Sequence, residues 1–461
     1  MKPKSERVTA GEIWHLAWPA ILEMLFSTAV TYADTAMVGR LGAKASAAVG
    51  LTGSVGWLIG CIFSAIGVGV VACISRSIGA GQPERARTAA VQSGILALLL
   101  GAAVGGLAVA LHKQVPVWMH GSDEILREAG EYFLIISLPM LFRAASILFG
   151  AVLRGAGDTR SPMRCNVTMN LVNVVLNFFL IYRTRAVTLG GLRLTIPGAG
   201  LGVRGAGIAT AISVTVGGLL MLRAALRNPL VSMRGEPLRW NPQVGGEILR
   251  IGAPVVVQRL ISCFGYIAFA SLVARLGTVP LAANSIATSA EELFYIAGYG
   301  IQSASATLAG NALGMGSVER YRSLAKRSTL MTMGLLTCTG LLLFCFPVPL
   351  MSLFSSDSEV VRLGAEVLRI VALSEPMFGL MVNLEGLLNG IGDTTAPVVF
   401  YIVTMWGVRI LFSAICILVL NLGLHAVWCC MVADNCARAL LLLIRFLRGS
   451  WKKRFAAAQT V

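Results

Sequence analysis

Apolar residues run through this chain in stretches of about 20, each long enough to cross roughly 30 Å of hydrocarbon. Short charged or Gly/Pro-punctuated segments separate them. The pattern predicts about twelve helices, near residues 13–38, 47–74, 86–112, 126–154, 162–183, 203–226, 247–274, 282–309, 321–346, 361–389, 396–420 and 424–447. The expected fold class is therefore all-α: an integral membrane protein with about twelve transmembrane helices.

The helices fall into two sets of six. At one offset of 235 residues, Pro19 pairs with Pro254, Ala47 and Ala48 with Ala282 and Ala283, and Gly79 and Gly81 with Gly314 and Gly316. Glu84 and Arg85 pair with Glu319 and Arg320, Asp158 and Thr159 with Asp393 and Thr394, and Pro162 with Pro397. Arg40-Leu41-Gly42 returns as Arg275-Leu276-Gly277 and reads as the end of the first helix of each half. The register slips only after the fifth helix, where residues 184–199 read as an extra loop. So many matches in one register imply a duplication. The expected organisation is an N-terminal six-helix lobe at 1–226, a cytoplasmic linker at 227–246, a C-terminal six-helix lobe at 247–448 and a basic cytoplasmic tail at 449–461. An even number of spans per copy brings both halves into the bilayer from the same side. That relates them by a pseudo-two-fold along the membrane normal.

Composition agrees. The chain is 56% hydrophobic and 13% charged, with a mean hydropathy of +0.76, whereas soluble domains are about a quarter charged. A net charge of +16 is compatible with nucleic-acid binding, but the basic residues lie in short loops, where they set orientation. With a cytoplasmic N-terminus, 23 Lys and Arg fall in inner segments, 10 in outer loops and five within spans. Both termini are expected in the cytoplasm of a multi-pass cell-membrane protein with no nucleic-acid partner. The loop carrying Arg183, Arg185 and Arg193 runs against this bias. Ten scattered cysteines and four separated histidines have no metal-ligand spacing, and no HExxH or catalytic triad appears. No catalytic residue and no cofactor are expected.

Charge inside the spans is the informative feature, because each such group costs about 2.5–3.5 kcal/mol on insertion scales unless it meets a partner or water. Asp434 and Arg438, four residues apart, are expected to form an internal ion pair. Glu23 and Asp34 are 11 residues apart, about 20° from one face at 100° per residue. Ser27 and Thr31 fill the same stripe, and Pro19 lies one turn before it. On the fifth helix Asn170, Asn173 and Asn177 share a face. Two readings stay open: interhelical amide glue, or a polar cavity between the first and fifth helices. Phe269 stands at the repeat position of Asp34, so the shared architecture does not itself demand a carboxylate there. The Gly-rich segments at 153–162 and 388–397 read as turns, with Asp158 or Asp393 capping the next helix.

From about residue 10 to 448 the chain resembles the MATE (multidrug and toxic compound extrusion) family. The cues are "DTAMVGRLGA", "SRSIGAGQPERAR", "LRGAGDTRSPM", "LNFFLIY" followed by "GAGIATAIS", and the long eighth-helix segment "AANSIATSAEELFYIAGYGIQSASATLAGNALGMG". The resemblance implies two six-helix lobes around a central cavity and cation-driven export of organic cations or other amphiphiles. Asp34 matches the first-helix aspartate implicated in coupling, and Asn173 a fifth-helix asparagine associated with it. Asn177 stands where the DinF-related branch has a second acid, so this amide looks more like the NorM branch. The coupling set is then Asp34, Asn173, Asn177 and Thr31, with either a proton, or sodium at Asp34, Asn173 and Asn177, as the coupling ion. Glu23, Tyr32, Glu291 and Glu375 are candidates for substrate contact; Glu291 matches an acid in the eighth helix of many bacterial members. The expected partners are small organic cations and membrane lipids, and the expected state is a monomer. A lipid-linked oligosaccharide flippase of the same superfamily is the near alternative, for which Arg143 and Arg259 are the relevant residues. An ion channel or receptor is the alternative of another class.

Overall fold

The computed structural model describes residues 7–189 and 192–459. The first half runs through α1 (Ala10–Gly39), α2 (Ala43–Gly79), α3 (Pro83–Ala110), the short α4 (Gln114–Trp118), α5 (Asp123–Ser137), α6 (Met140–Gly155) and α7 (Arg160–Leu180). A two-stranded ribbon, β1 (Arg183–Leu189) and β2 (Leu192–Ala199), leads into α8 (Gly202–Arg227). The second half has α9 (Pro242–Ala274), α10 (Thr278–Gly314), α11 (Val318–Cys345), the short α12 (Pro347–Ser352), α13 (Ser358–Ala372), α14 (Glu375–Gly390) and α15 (Thr395–Thr404). A π-helical turn, Met405–Ile410, joins α15 to α16 (Leu411–Leu418), and α17 (Leu424–Leu447) and α18 (Lys452–Gln459) follow.

The 235-residue repeat holds in length and offset for four pairs of helices. α2, α3, α5 and α6 are 37, 28, 15 and 16 residues long, and α10, α11, α13 and α14 have the same lengths at that offset. Arg-Leu-Gly ends the first helix in both copies because its glycine takes φ near 113° at Gly42 and 112° at Gly277, a conformation a Cβ disfavours. The expected loop at 184–199 is instead an antiparallel ribbon, paired from Arg183 with Ala199 to Leu189 with Leu192; its tip lies outside the described residues. The chain is therefore not wholly helical. The ribbon has no counterpart in the second half, and the offset drops to 222 between α8 and α17.

Eight helices among the described residues are each long and apolar enough to cross a membrane. Two bent pairs, α5 with α6 at 50° and α13 with α14 at 57°, raise the number to ten. Pro139 in the first break and Pro376 at the start of α14 remove the amides that would continue the helix. α7 and α10, at 21 and 37 residues, have the length to cross but not the apolarity. α7 carries four asparagines, and α10 carries Glu291 and Glu292.

The halves interlock at one end. Ile13, Leu16 and Ala17 of α1 pack in the core built by α10, α11, α14 and α17, while Val244 and Ile248 of α9 pack in the core of α2, α3, α6 and α8. Ile13 and Ile248 are repeat partners and both fully buried. At this end α2 and α10 cross on glycine. A Cβ on Gly79 would collide with the carbonyl oxygen of Asn311, and one on Gly314 with that of Arg76. Further along α2, Gly69 lies against the Ile248 carbonyl of α9. Ion pairs close the same end: Glu247 takes Arg85 at 2.8 Å and also Arg76, and Glu12 takes Arg320 at 2.7 Å. Glu12 and Glu247 are repeat partners, as are Arg85 and Arg320. Toward the other end of α2 nothing lies within 4 Å of a Cβ built on Gly50 or Gly53, while Ala48 beside them and Thr52 between them are fully buried.

The two Gly-rich turns diverge. Asp158 caps α7 as expected, accepting from the Ser161 amide at 3.0 Å and its hydroxyl at 2.6 Å. Asp393 instead accepts from Arg445 Nε and Nη2 at 3.0 and 2.7 Å.

Candidate functional site

α1 and α7 run side by side with their polar faces in register. Asn166 Nδ2 donates to Glu23 Oε1 at 2.5 Å, and Asn177 Nδ2 donates to Asp34 Oδ1 at 2.7 Å. Both pairs are 143 residues apart in sequence, so the 11-residue spacing of the two acids is matched by the same spacing of the two amides. Asn173 joins the second pair. Its amide is oriented with nitrogen toward Asp34, which gives both of its ends partners; it then donates at 2.8 Å to Oδ2 and 2.9 Å to Oδ1. Asn173 and Asn177 are buried and Asp34 is half-buried.

The two ends of the stripe differ electrostatically. Glu23 has a cation nearby, Arg154 Nη1 at 3.8 Å. Among the described residues Asp34 has no ion pair, and neutral amides supply its hydrogen bonds. Amides stabilise a carboxylate by dipole but do not cancel its charge. Asn177 Oδ1 is buried without a partner among the described residues, leaving an acceptor free beside Asp34. A proton on the carboxylate, or a small cation held by oxygens, is what this arrangement can take. Thr31, by contrast, donates to the Ser27 carbonyl of its own helix at 3.0 Å, so its hydroxyl hydrogen is turned away from the acid.

Among the described residues the second half has no such carboxylate–amide cluster. Phe269 stands in place of Asp34, and Met405, Val408 and Phe412 occupy the repeat positions of Asn170, Asn173 and Asn177. The π-helical turn lies across these positions and directs Arg409 inward. Arg409 sits 5.9 Å above the Phe269 ring and pairs with Asp434 at 2.9 Å. Arg438 holds both oxygens of Asp434 at 2.7 Å, and its Nε donates to Thr404 at 3.2 Å. The pair expected between Asp434 and Arg438 is thus part of a fully buried triad.

The other acids separate by environment. Glu291 and Glu375 are buried inside the second half, 3% and 0% exposed. Both oxygens of Glu375 and one of Glu291 have no hydrogen-bond partner among the described residues. The resemblance pointed to Glu291; the adjacent Glu292 is the exposed one of the two and lies within electrostatic reach of Tyr32. Sequence reasoning missed the pairing of Glu12 and Glu247 with Arg320 and Arg85, although both pairs obey the 235-residue offset.

Comparison with known proteins agrees with this architecture. The MatE family profile matches residues 19–179 and again 254–415, starting 235 residues apart. The "Probable multidrug resistance protein NorM" of Thermotoga maritima is 29% identical over 445 residues, covering 96% of this chain and 93% of that protein. Among solved structures, a MOP superfamily transporter from Pyrococcus furiosus superposes with a TM-score of 0.86 at 23% identity, over 97% of this chain and 96% of the other. An outward-facing multidrug resistance MATE family transporter matches with a TM-score of 0.86 at 24% identity, over 97% and 96% of the two chains.

Proposed function

Because the chain belongs to the MatE family, and is therefore a secondary transporter and not an enzyme, we propose that it exports small organic compounds, organic cations among them, in exchange for protons or sodium. The observation that carries this reading is Asp34: a carboxylate inside a span, held by Asn173 and Asn177, with no cationic partner among the described residues. Occupancy there is exclusive. The ionised carboxylate attracts a cation or a cationic substrate, and a proton or sodium removes that attraction.

Transport then requires the halves to part at the end now closed by Glu12, Arg320, Glu247 and Arg85, and to meet at the other. With the linker and both termini in the cytoplasm, the closed end faces the cytoplasm. A ligand drives that exchange only through different affinities for the two states. Asp34 changes solvent access between them, which supplies such a difference. Asp34, Asn173 and Asn177 form the coupling site. Thr31, Glu23 and Tyr32 line its approach, and the buried Glu291 and Glu375 respond to the second half's packing. The protein works as a monomer of two lobes, 1–226 and 247–448, joined by the linker 227–246.

The test is efflux of a cationic dye from proteoliposomes under separately imposed proton and sodium gradients. Saturable efflux driven by one gradient and lost in Asp34→Asn supports the reading. Gradient-driven efflux at the wild-type rate in that variant would overturn it, and flux indifferent to both gradients would point to a channel. The polarity of the substrate needs separate treatment. In the Pyrococcus furiosus relative a binding pocket of reverse polarity suggests a different function, so the charge of the cleft has to be taken from the residues of each chain.

A further inference from the structure

The cleft between the halves is not lined by acid alone. α2 and α9 seal against each other at Gly69 and Ile248. Cys61 precedes Gly69 by eight residues, so it sits about 12 Å beyond the seal at 1.5 Å per residue. Two arginines from opposite halves converge on it. Arg143 of α6 lies against α2, its Nη atoms 3.9 and 3.6 Å from Cβ positions built on Gly56 and Gly60. Arg259 of α9 is exposed although it stands mid-helix. Gly69 meets Ile248 and Gly252 meets Ile66, so α2 and α9 run antiparallel and their register carries Arg259 to about the level of Cys61, next to the Gly60 that Arg143 touches. Glu385 of α14 and Tyr299 of α10 are among the polar neighbours of Arg259.

Neither arginine forms an ion pair among the described residues. Glu385, the one acid facing Arg259, accepts from Gln258 at 3.4 Å. Two positive groups and one negative group thus remain at the apex of the cleft. An arginine at mid-span is expensive unless water or an anion meets it, and a planar guanidinium matches carboxylate and phosphate oxygens in geometry. Glycine at 56 and 60 leaves room for the Arg143 head against the α2 backbone.

We propose that Arg143 and Arg259 form an anion-binding subsite at the floor of the cleft, which takes the carboxylate or phosphate of an amphiphilic substrate. The proposal rests on the reading of the cleft as the substrate path. It deepens that reading by adding molecules with an acidic or zwitterionic group to those the protein carries. Because the arginines come from opposite halves, an anion bridges them only in one arrangement of the lobes, which is a route for substrate to bias the transport cycle.

The test is equilibrium binding of 1-pyrenebutyrate to the full chain in phosphatidylcholine nanodiscs, with tetraphenylphosphonium as the cationic comparison. The expected result is that Arg143→Gln and Arg259→Gln each weaken pyrenebutyrate about tenfold or more, leave tetraphenylphosphonium binding in place, and that Arg143→Lys restores part of the loss. Unchanged pyrenebutyrate affinity in both Gln variants would overturn the subsite, as would equal weakening of both probes. Repeating the titration in phosphatidylglycerol nanodiscs identifies the source. Competition assigns the subsite to a lipid headgroup, and its absence assigns it to a free amphiphile. The binding needs no ion gradient, so a failure of coupled export and a failure of this subsite are told apart.

Discussion

Glu247 accepts from Arg85 at 2.8 Å across the two halves, and the repeat partners of these residues, Glu12 and Arg320, form the same bond at 2.7 Å in the reverse sense. Each half thus contributes one acid from its first helix and one base from its third helix. The seal is a quasi-symmetric pair of latches. The Arg85–Glu247 pair is partly exposed, and such bonds are individually weak, about 0–1 kcal/mol. In the other pair Arg320 is buried while Glu12 is partly exposed, and the proposed transport cycle would break both.

Loosening both latches should open this end. In Glu12→Gln/Glu247→Gln the native Cys73, 1% exposed beside this seal, becomes reachable. Its alkylation by a maleimide, followed by peptide mass spectrometry, should speed up several-fold. An unchanged rate would mean that the glycine crossing alone closes the end.

The crossing itself gives a steric prediction. Gly79→Ala or Gly314→Ala places a methyl group on the carbonyl oxygen of Asn311 or Arg76. The helices have to separate, because backbone atoms yield less readily than the end of a side chain. Either variant should raise Cys73 labelling and slow export, with the two effects of similar size since the contacts are repeat partners. A strongly one-sided result would contradict that equivalence.

At the proposed coupling site, Asn177→Ala removes one donor to Asp34 while Asn173 retains its own. Loss of a hydrogen bond to a charged group is worth about 1.5 kcal/mol, roughly tenfold in an equilibrium. The half-saturating concentration of the coupling ion should shift by about that factor, with Asp34→Asn losing coupling outright. Dose–response curves for the ion gradient in proteoliposomes measure both.

The triad in the second half should respond in stability first. Asp434→Ala leaves Arg409 and Arg438 buried without their shared acid, and breaking a buried pair by removing one partner costs about 3–5 kcal/mol. Thermal unfolding in detergent should fall by several degrees or the protein should fail to accumulate. Asn177→Ala, which deletes no ion pair, should unfold close to the wild type.

Much of this molecule was legible in the chain alone. The length and apolarity of the spans follow from the thickness of hydrocarbon, and the duplication from identities at one offset that survive as equal helix lengths. The polar face shared by Glu23 and Asp34, and that of Asn170, Asn173 and Asn177, follow from helical periodicity. Periodicity orients a residue on its own helix but says nothing about which helix comes to meet it. Only tertiary packing decided that the two faces meet in register, that Thr31 turns to its own backbone, and that Glu292 rather than Glu291 is exposed. The same holds for Glu12 and Glu247: their spacing was in the sequence, but their arginines lie about 310 and 160 residues away. Charge pairing depends on a few ångströms of separation. That distance is set by how the two halves pack and not by the order of residues along either one.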